Sequence, residues 1–312
     1  MKRYISLFFA AVFAAGSLLA CGGDTVSPNA DQDRLKIVTT IFPEYDWVMN
    51  ILGDNPANAK VSMLLGNGVD IHSFQPTADD ILEVSTCDLF IYVGGESDEW
   101  VKDALKEAIN KDMVVINLLE VLGDQVKEEE VVEGMQGEVE EEHEEEEEGP
   151  EYDEHVWLSL RNAETLTDSI SKALQKIDEK NSTVYQNNAD AYIAKLSDLD
   201  KQYEDAVSSA SVKTLLFGDR FPFRYLTDDY GLSYYAAFAG CSAETEASFE
   251  TIMFLAGKVD ELGLSAVLTI EGADHRIAET IVQNTGSKDQ QILTMDSMQS
   301  VTSNDVENGT TY

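Results

Sequence analysis

One helical seam constrains this chain more than any other feature. Tyr185, Ala189, Tyr192, Leu196, Leu199, Tyr203 and Val207 recur at steps of four and three, the period of one face of an α-helix. The seam predicts a single helix over 181–209, roughly 40 Å long at 1.5 Å rise per residue. That is the span of a whole domain. A fold organised around such a rod needs packable structure at both ends, and the sequence supplies two sets.

Ahead of the seam, strands are predicted at 35–40, 61–65, 88–93 and 113–117, with turn signals such as Gly66-Asn67-Gly68 between elements. A helix from Pro43 puts Trp47, Val48, Ile51 and Leu52 on one face. Another starts at Ala78 behind a Thr77 cap, and a third lies around 99–109. A helix over 162–178 carries the stripe Leu166, Ile170, Leu174 and Ile177. Beyond the seam the alternation resumes. Strands are predicted at 214–217, 234–238, 266–270 and 291–295, with helices beginning near Pro222 and covering 248–262 and 275–284. The fold class is therefore α/β: two similar βα lobes with mainly parallel sheets, joined by a long rigid interlobe helix, with a ligand site in the cleft. The expected divisions are 35–180 for the N-terminal lobe, 181–209 for the helix and 210–312 for the C-terminal lobe. A lobe of this kind usually closes with one more helix, so the C-terminal lobe is expected to be truncated.

The N-terminus speaks to compartment. Lys2-Arg3 precedes an apolar stretch from Ile5 to Ala20, too short for a comfortable membrane span. It ends Leu18-Leu19-Ala20-Cys21-Gly22-Gly23, which resembles a bacterial lipobox. On that reading residues 1–20 are a signal peptide, Cys21 is lipidated, and 21–34 is a linker. The two acyl chains anchor the protein to the outer face of the cell membrane. The alternative is an ordinary signal peptide with a coincidental cysteine. Cys87 opens a buried strand and Cys241 is remote in sequence, so two separate thiols are expected rather than a bridge.

The formal net charge is −38. The window Glu128–Glu154 holds 16 acidic residues and no Lys or Arg, and setting it aside still leaves −22. Nucleic acid is excluded as a partner because phosphate binding needs a basic face. A cationic ligand is the natural counterpart. The loop 122–154 is expected to be flexible by composition, and His143 within it is at most a weak, transient metal ligand.

Five polar residues recur at the carboxyl ends of predicted strands, where open α/β sheets bind ligands. His72 follows strand 61–65 and His155 lies in the long connection after 113–117. Asp219 follows 214–217, Glu271 follows 266–270, and Asp296 follows 291–295. Two imidazoles with carboxylates suit Zn²⁺ or Mn²⁺. Taken singly, each residue has a plainer reading. His72 could be a turn histidine, His155 could simply sit ahead of the next helix, Asp219 could be a helix cap, and Asp296 ordinary turn chemistry. Glu271 could pair with Arg220 or Arg276, and His275 could be a surface helix residue.

Read together, the segments resemble a known family. Asp70-Ile71-His72-Ser73-Phe74-Gln75-Pro76-Thr77 and Asp153-Glu154-His155-Val156-Trp157-Leu158-Ser159 resemble the two histidine segments of the zinc/manganese substrate-binding lipoproteins of ABC importers (cluster A-I, ZnuA/AdcA/TroA-like). Gly218 through Leu226, followed by Tyr230-Gly231-Leu232, is similar to their third ligand segment, and Thr294-Met295-Asp296-Ser297 to the last. The resemblance implies the metal ligands His72, His155 and Asp296. At the third position strict alignment falls on Arg220, which cannot ligate a cation, and the adjacent Asp219 is the nearest candidate. Glu271 either supports a ligand from behind or ligates in its place. The resemblance further implies an extracytoplasmic, monomeric binding protein that captures Zn²⁺, with Mn²⁺ as the alternative cargo. Its partners would be a membrane permease and a cytoplasmic ATPase. A surface adhesin and a metallohydrolase using Glu271 as base remain the other readings. The second lacks a His-Glu-x-x-His motif, so an enzyme is not expected.

Overall fold

In a computed structural model, which describes residues 34–136, 151–242, 246–272 and 274–312, the alternation becomes two parallel sheets. The N-terminal lobe runs β1 (Lys36–Thr39), α1 (Phe42–Leu52), β2 (Lys60–Met63), α2 (Ala78–Thr86), β3 (Leu89–Tyr92), α3 (Trp100–Lys106), β4 (Val114–Asn117) and α4 (Leu118–Leu122). Its strand order is β2-β1-β3-β4, all parallel. The central strand β3, Leu-Phe-Ile-Tyr, is covered on both faces, as an interior parallel strand requires. The Thr77 cap is present: its hydroxyl accepts the Asp80 N–H, and Asp80 returns the bond.

The stripe helix α5 (Leu160–Ile177) leads into α6 (Ser182–Ser209), the 28-residue rod of the seam. The C-terminal lobe follows as β5 (Thr214–Phe221), α7 (Arg224–Tyr230), β6 (Ser233–Ala239), α8 (Phe249–Leu262), β7 (Ala266–Ile270), α9 (Arg276–Asn284), β8 (Gln291–Met295) and α10 (Ser303–Glu307). Its order is β6-β5-β7-β8, again all parallel. The same topology thus appears twice, and in each sheet the order reverses between the first and third strands of the lobe. That is the switch point where ligands bind.

Two features differ from the sequence reading. The strand predicted at 214–217 runs on to Phe221, because a register shift between Phe217 and Arg220 lets it resume pairing with β6. The seam on α6 is buried only over its first half. Tyr185, Ala189, Tyr192 and Leu196 pack into the core, whereas Leu199 and Tyr203 are 38% and 40% exposed. The reason is that α6 changes partners along its length. Its first half lies on α1 and α5, where Tyr192 donates to Asp46 at 3.1 Å. Its second half reaches the C-terminal lobe, where Tyr203 stacks on Tyr230 and Asp200 accepts the Tyr230 hydroxyl at 2.9 Å.

One apolar cluster runs unbroken through the junction. It joins Ile37, Trp47 and Ile91 of the first lobe to Leu166 and Ile170 of α5 and to Phe217, Phe221 and Phe223 of the second. Each fully buried aliphatic or aromatic side chain contributes roughly 1.5–3 kcal/mol, so the lobes are held by a shared core rather than by a hinge alone. Trp157 sits within it, donating from its indole N–H to the Ser297 carbonyl at 2.9 Å.

Candidate metal centre

Two local turns present the histidines to each other. Asp70 caps the short turn Ile71–Ser73, its carboxylate accepting the His72 N–H at 3.0 Å. His155 stands just ahead of the turn Val156–Leu158. There Asp153 Oδ1 accepts the His155 backbone N–H and lies against its Nδ1, both at 2.9 Å. The His155 ring is fully buried, 5.3 Å from Trp157 between centroids. Gly240 makes room for it: a Cβ there would stand 3.1 Å from His155 Cε1 and 2.9 Å from the Phe221 carbonyl.

A carboxylate at Nδ1 keeps the proton on that nitrogen and leaves the Nε2 lone pair free for a metal. The Nε2 atoms of His72 and His155 are 3.2 Å apart. Two nitrogens bound at about 2.0–2.1 Å to one tetrahedral Zn²⁺ stand roughly 3.3–3.4 Å apart. The pair already has the spacing of two ligands to one ion. His72 is held from behind, its Nδ1 2.9 Å from Ser97 Oγ and 3.6 Å from Glu154 Oε2. Glu154 is fixed in turn by the Ser97 N–H at 2.9 Å. It packs so close to Gly95 (φ +82°) that a Cβ at that position would lie 2.2 Å from its Oε1.

Cys241 joins the histidines. It follows the end of β6 by two residues, and its Sγ lies within 4.8 Å of a ring nitrogen on each imidazole. Its backbone N–H donates to Glu129 Oε1 at 2.9 Å. Among the described residues, His72, His155 and Cys241 form the group close enough to share an ion.

Charge is divided unevenly across the pair. Burial alone would push His155 down, but Asp153, then Glu154 and Asp70, outweigh it and leave its pKa above the ordinary value. Burial and then the charge on His155 drive His72 down to about 3. Two imidazolium ions cannot coexist at this distance, so the pair takes up one proton, on His155. Burial, reinforced by Glu129, Asp153 and Glu154, pushes the Cys241 thiol up, so it stays protonated until a cation displaces the proton.

The mouth of the site is acidic. A cavity of about 240 Å³ is lined by His72 and Cys241 together with Glu96, Glu129, Glu151 and Glu154. Glu129 and Glu151 belong to a short antiparallel ladder. Its bonds run from Glu129 N–H to the Glu151 carbonyl and from Asp153 N–H to the Lys127 carbonyl, each 2.9 Å. Both ends of the acidic segment therefore meet at the site, where their field concentrates cations. Tyr225 locks the ladder, donating to the Asp153 carbonyl at 2.8 Å and accepting the Lys127 N–H at 3.0 Å.

The carboxylates from the other strand ends are placed differently. Asp219 lies in the irregularity of β5, and its carboxylate accepts the N–H groups of Arg220 at 2.9 Å and Ile270 at 3.2 Å. Asp296 accepts the Met298 N–H at 2.8 Å and lines an apolar cavity beside Trp157, Tyr203 and Tyr230. Neither joins the histidine–cysteine group. Both satisfy backbone donors where strands end, the commonest task of a short carboxylate at such a position. Glu271 accepts from Ser297 N–H at 2.7 Å and Ser297 Oγ at 2.6 Å, pinning the loop after β8. It pairs with neither arginine, since Arg220 binds Asp70 at 2.6 Å and Arg276 binds Asp274. His275 caps α9 half-buried, with φ 59°, rather than riding on the helix surface. His143 and Cys21 lie outside the described residues. Cys241 is the member that strand-end reasoning passed over. The signal was present: it too follows the carboxyl end of a strand, β6.

The family described as ZnuA, zinc-uptake complex component A periplasmic, matches residues 37–312. The high-affinity zinc uptake system protein ZnuA of Bacillus subtilis strain 168 is 31% identical over 306 residues, covering 95% of this chain and 90% of that relative. The zinc-binding lipoprotein AdcA of Streptococcus pneumoniae strain R6 is 30% identical over 315 residues. That match takes in 100% of this chain but 58% of AdcA, so the chain spans little more than half of that relative's length. Among solved structures, the Zn(II)-bound ZnuA-like domain of S. pneumoniae AdcA superposes with a TM-score of 0.68 at 28% identity, covering 89% of this chain and 93% of that one.

Proposed function

This chain belongs to the family of periplasmic A components of zinc-uptake complexes, and we propose on that premise that it captures Zn²⁺ outside the cytoplasm for import. The cargo passes to the membrane permease of an ABC importer, driven by a cytoplasmic ATPase. Lipidation at Cys21, behind a signal peptide of residues 1–20, tethers the protein beside that permease. It is a binding protein rather than an enzyme, as its family is. The lobes at 35–180 and 210–312 supply the two walls of the cleft, with helix 181–209 limiting their relative motion.

The observation that carries the proposal is the 3.2 Å approach of two Nε2 atoms. Two buried lone pairs set that close repel each other unless a proton or a metal lies between them. Here Asp153 and Ser97 occupy the far nitrogens, so the pair is built for a cation. His72 and His155 are the first two zinc ligands. The acidic mouth gathers the ion, and the neutral imidazoles bind it. Titration of the folded protein with Zn²⁺ tests this. One equivalent should bind tightly, and the His72→Ala/His155→Ala double variant should lose it. Stoichiometric uptake unchanged in the double variant would refute the assignment.

A further inference from the structure

We infer that Cys241, as a thiolate, is the third zinc ligand of this protein, and that it makes the site selective for Zn²⁺ over Mn²⁺. The inference rests on the zinc-capture reading above and adds a donor to it that the ligand segments of the sequence do not contain.

Three observations converge. First, the position that should furnish a third ligand is spent. Arg220 has no lone pair to offer, and its guanidinium is held by Asp70 at 2.6 Å, next to His72. The neighbouring Asp219 carboxylate takes two backbone N–H groups. Second, the space is filled from another strand end. Cys241 Sγ comes within 4.8 Å of a ring nitrogen on each histidine. In a tetrahedral site with Zn–S of about 2.3 Å and Zn–N of about 2.0–2.1 Å, sulfur and nitrogen stand roughly 3.5–3.6 Å apart. From that outer limit, a sulfur approach of at most about 1.2 Å gives the spacing of a tetrahedral ligand. Third, the residue is anchored for the task. Its N–H is held by Glu129 at 2.9 Å, the preceding Gly240 packs on the His155 ring, and Cys241 lines the same cavity as His72. Cys87 is different: it is buried in a separate core cluster against Met113 and is not in the histidine group.

The chemistry balances simply. Zn²⁺ enters, the S–H proton leaves to solvent, and a Zn–S bond forms, with no change of oxidation state. Thiolate is a soft donor that suits Zn²⁺, whereas Mn²⁺ prefers carboxylate, carbonyl and water oxygen. One cysteine bound to the ion therefore discriminates between two ions that a His₂-carboxylate set would both accept.

The test is zinc-edge X-ray absorption on the full chain loaded with one equivalent of Zn²⁺, with competition titrations on Cys241→Ser and Cys241→Asp. A sulfur scatterer at about 2.3 Å is expected in the parent and none in either variant. Cys241→Ser should lose more zinc affinity than the roughly 10–100-fold that follows removal of an outer-sphere partner. Cys241→Asp should narrow the preference for Zn²⁺ over Mn²⁺. The parent spectrum needs no substitution, so a variant that folds poorly does not leave the question open. One bound zinc with only nitrogen and oxygen neighbours, and unchanged affinity in Cys241→Ser, overturns the inference while leaving zinc capture standing. Failure of the parent chain to bind zinc at all overturns the capture reading itself.

Discussion

Replacing Asp153 with Asn should weaken zinc binding by about 10–100-fold, or roughly 1.4–2.7 kcal/mol, without disturbing the fold. The magnitude follows from what the substitution removes. Asp153 Oδ1 accepts from the His155 backbone N–H and lies against its Nδ1, both at 2.9 Å. An Asn carbonyl can keep both contacts, so the loss is the negative charge and the basicity it lends to Nε2. The effect has a pH signature. With Asp153 present the His155 pKa is raised, so in the parent a proton competes with zinc up to a higher pH. With Asn that competition fades. The affinity gap should therefore be widest at alkaline pH, where proton competition is least, and should narrow on acidification. Chelator-competition titrations at several pH values measure the gap, and a melt of the metal-free proteins checks the fold. A loss of less than about threefold at alkaline pH, or a gap that widens on acidification, would sink the idea that Asp153 orients and charges a zinc ligand.

Two other perturbations follow. Gly240→Ala places a Cβ 3.1 Å from His155 Cε1 and 2.9 Å from the Phe221 carbonyl. It should cost about 1–3 kcal/mol of stability, as overpacking does, and lower zinc affinity together. A variant with parent-like melting and binding would show that the ring has more room than the contacts allow. Glu44 is fully buried, and burial, with Asp98 adding to it, pushes its pKa up to about 8. The unfolded chain ionises this group from about pH 4.5 and the native state only near 8, so stability falls across that window and levels off above it. The loss is on the order of 4–5 kcal/mol between the two plateaus. Denaturant unfolding of Glu44→Gln should lack that decline, and identical pH slopes in the two proteins would refute it.

The long helix, the two βα series and the strand-end placement of polar residues were all legible in the sequence. The reason is that period and punctuation are local properties, set by a few neighbouring side chains. The segments around His72 and His155 were legible for a related reason: Asp70 and Asp153 each shape a turn within two residues of the histidine they present. The place of Cys241 beside that pair was not. Sequence position says which end of a sheet a residue occupies, but not which of several side chains turns inward. Cys241 comes beside the histidines where the preceding Gly240 packs closely on His155. Asp219 accepts backbone donors instead, and Arg220 binds Asp70. The sequence alone determined a two-lobed α/β frame bearing a histidine pair. Only the packing of one lobe against the other brought Cys241, remote in sequence from both histidines, to their side.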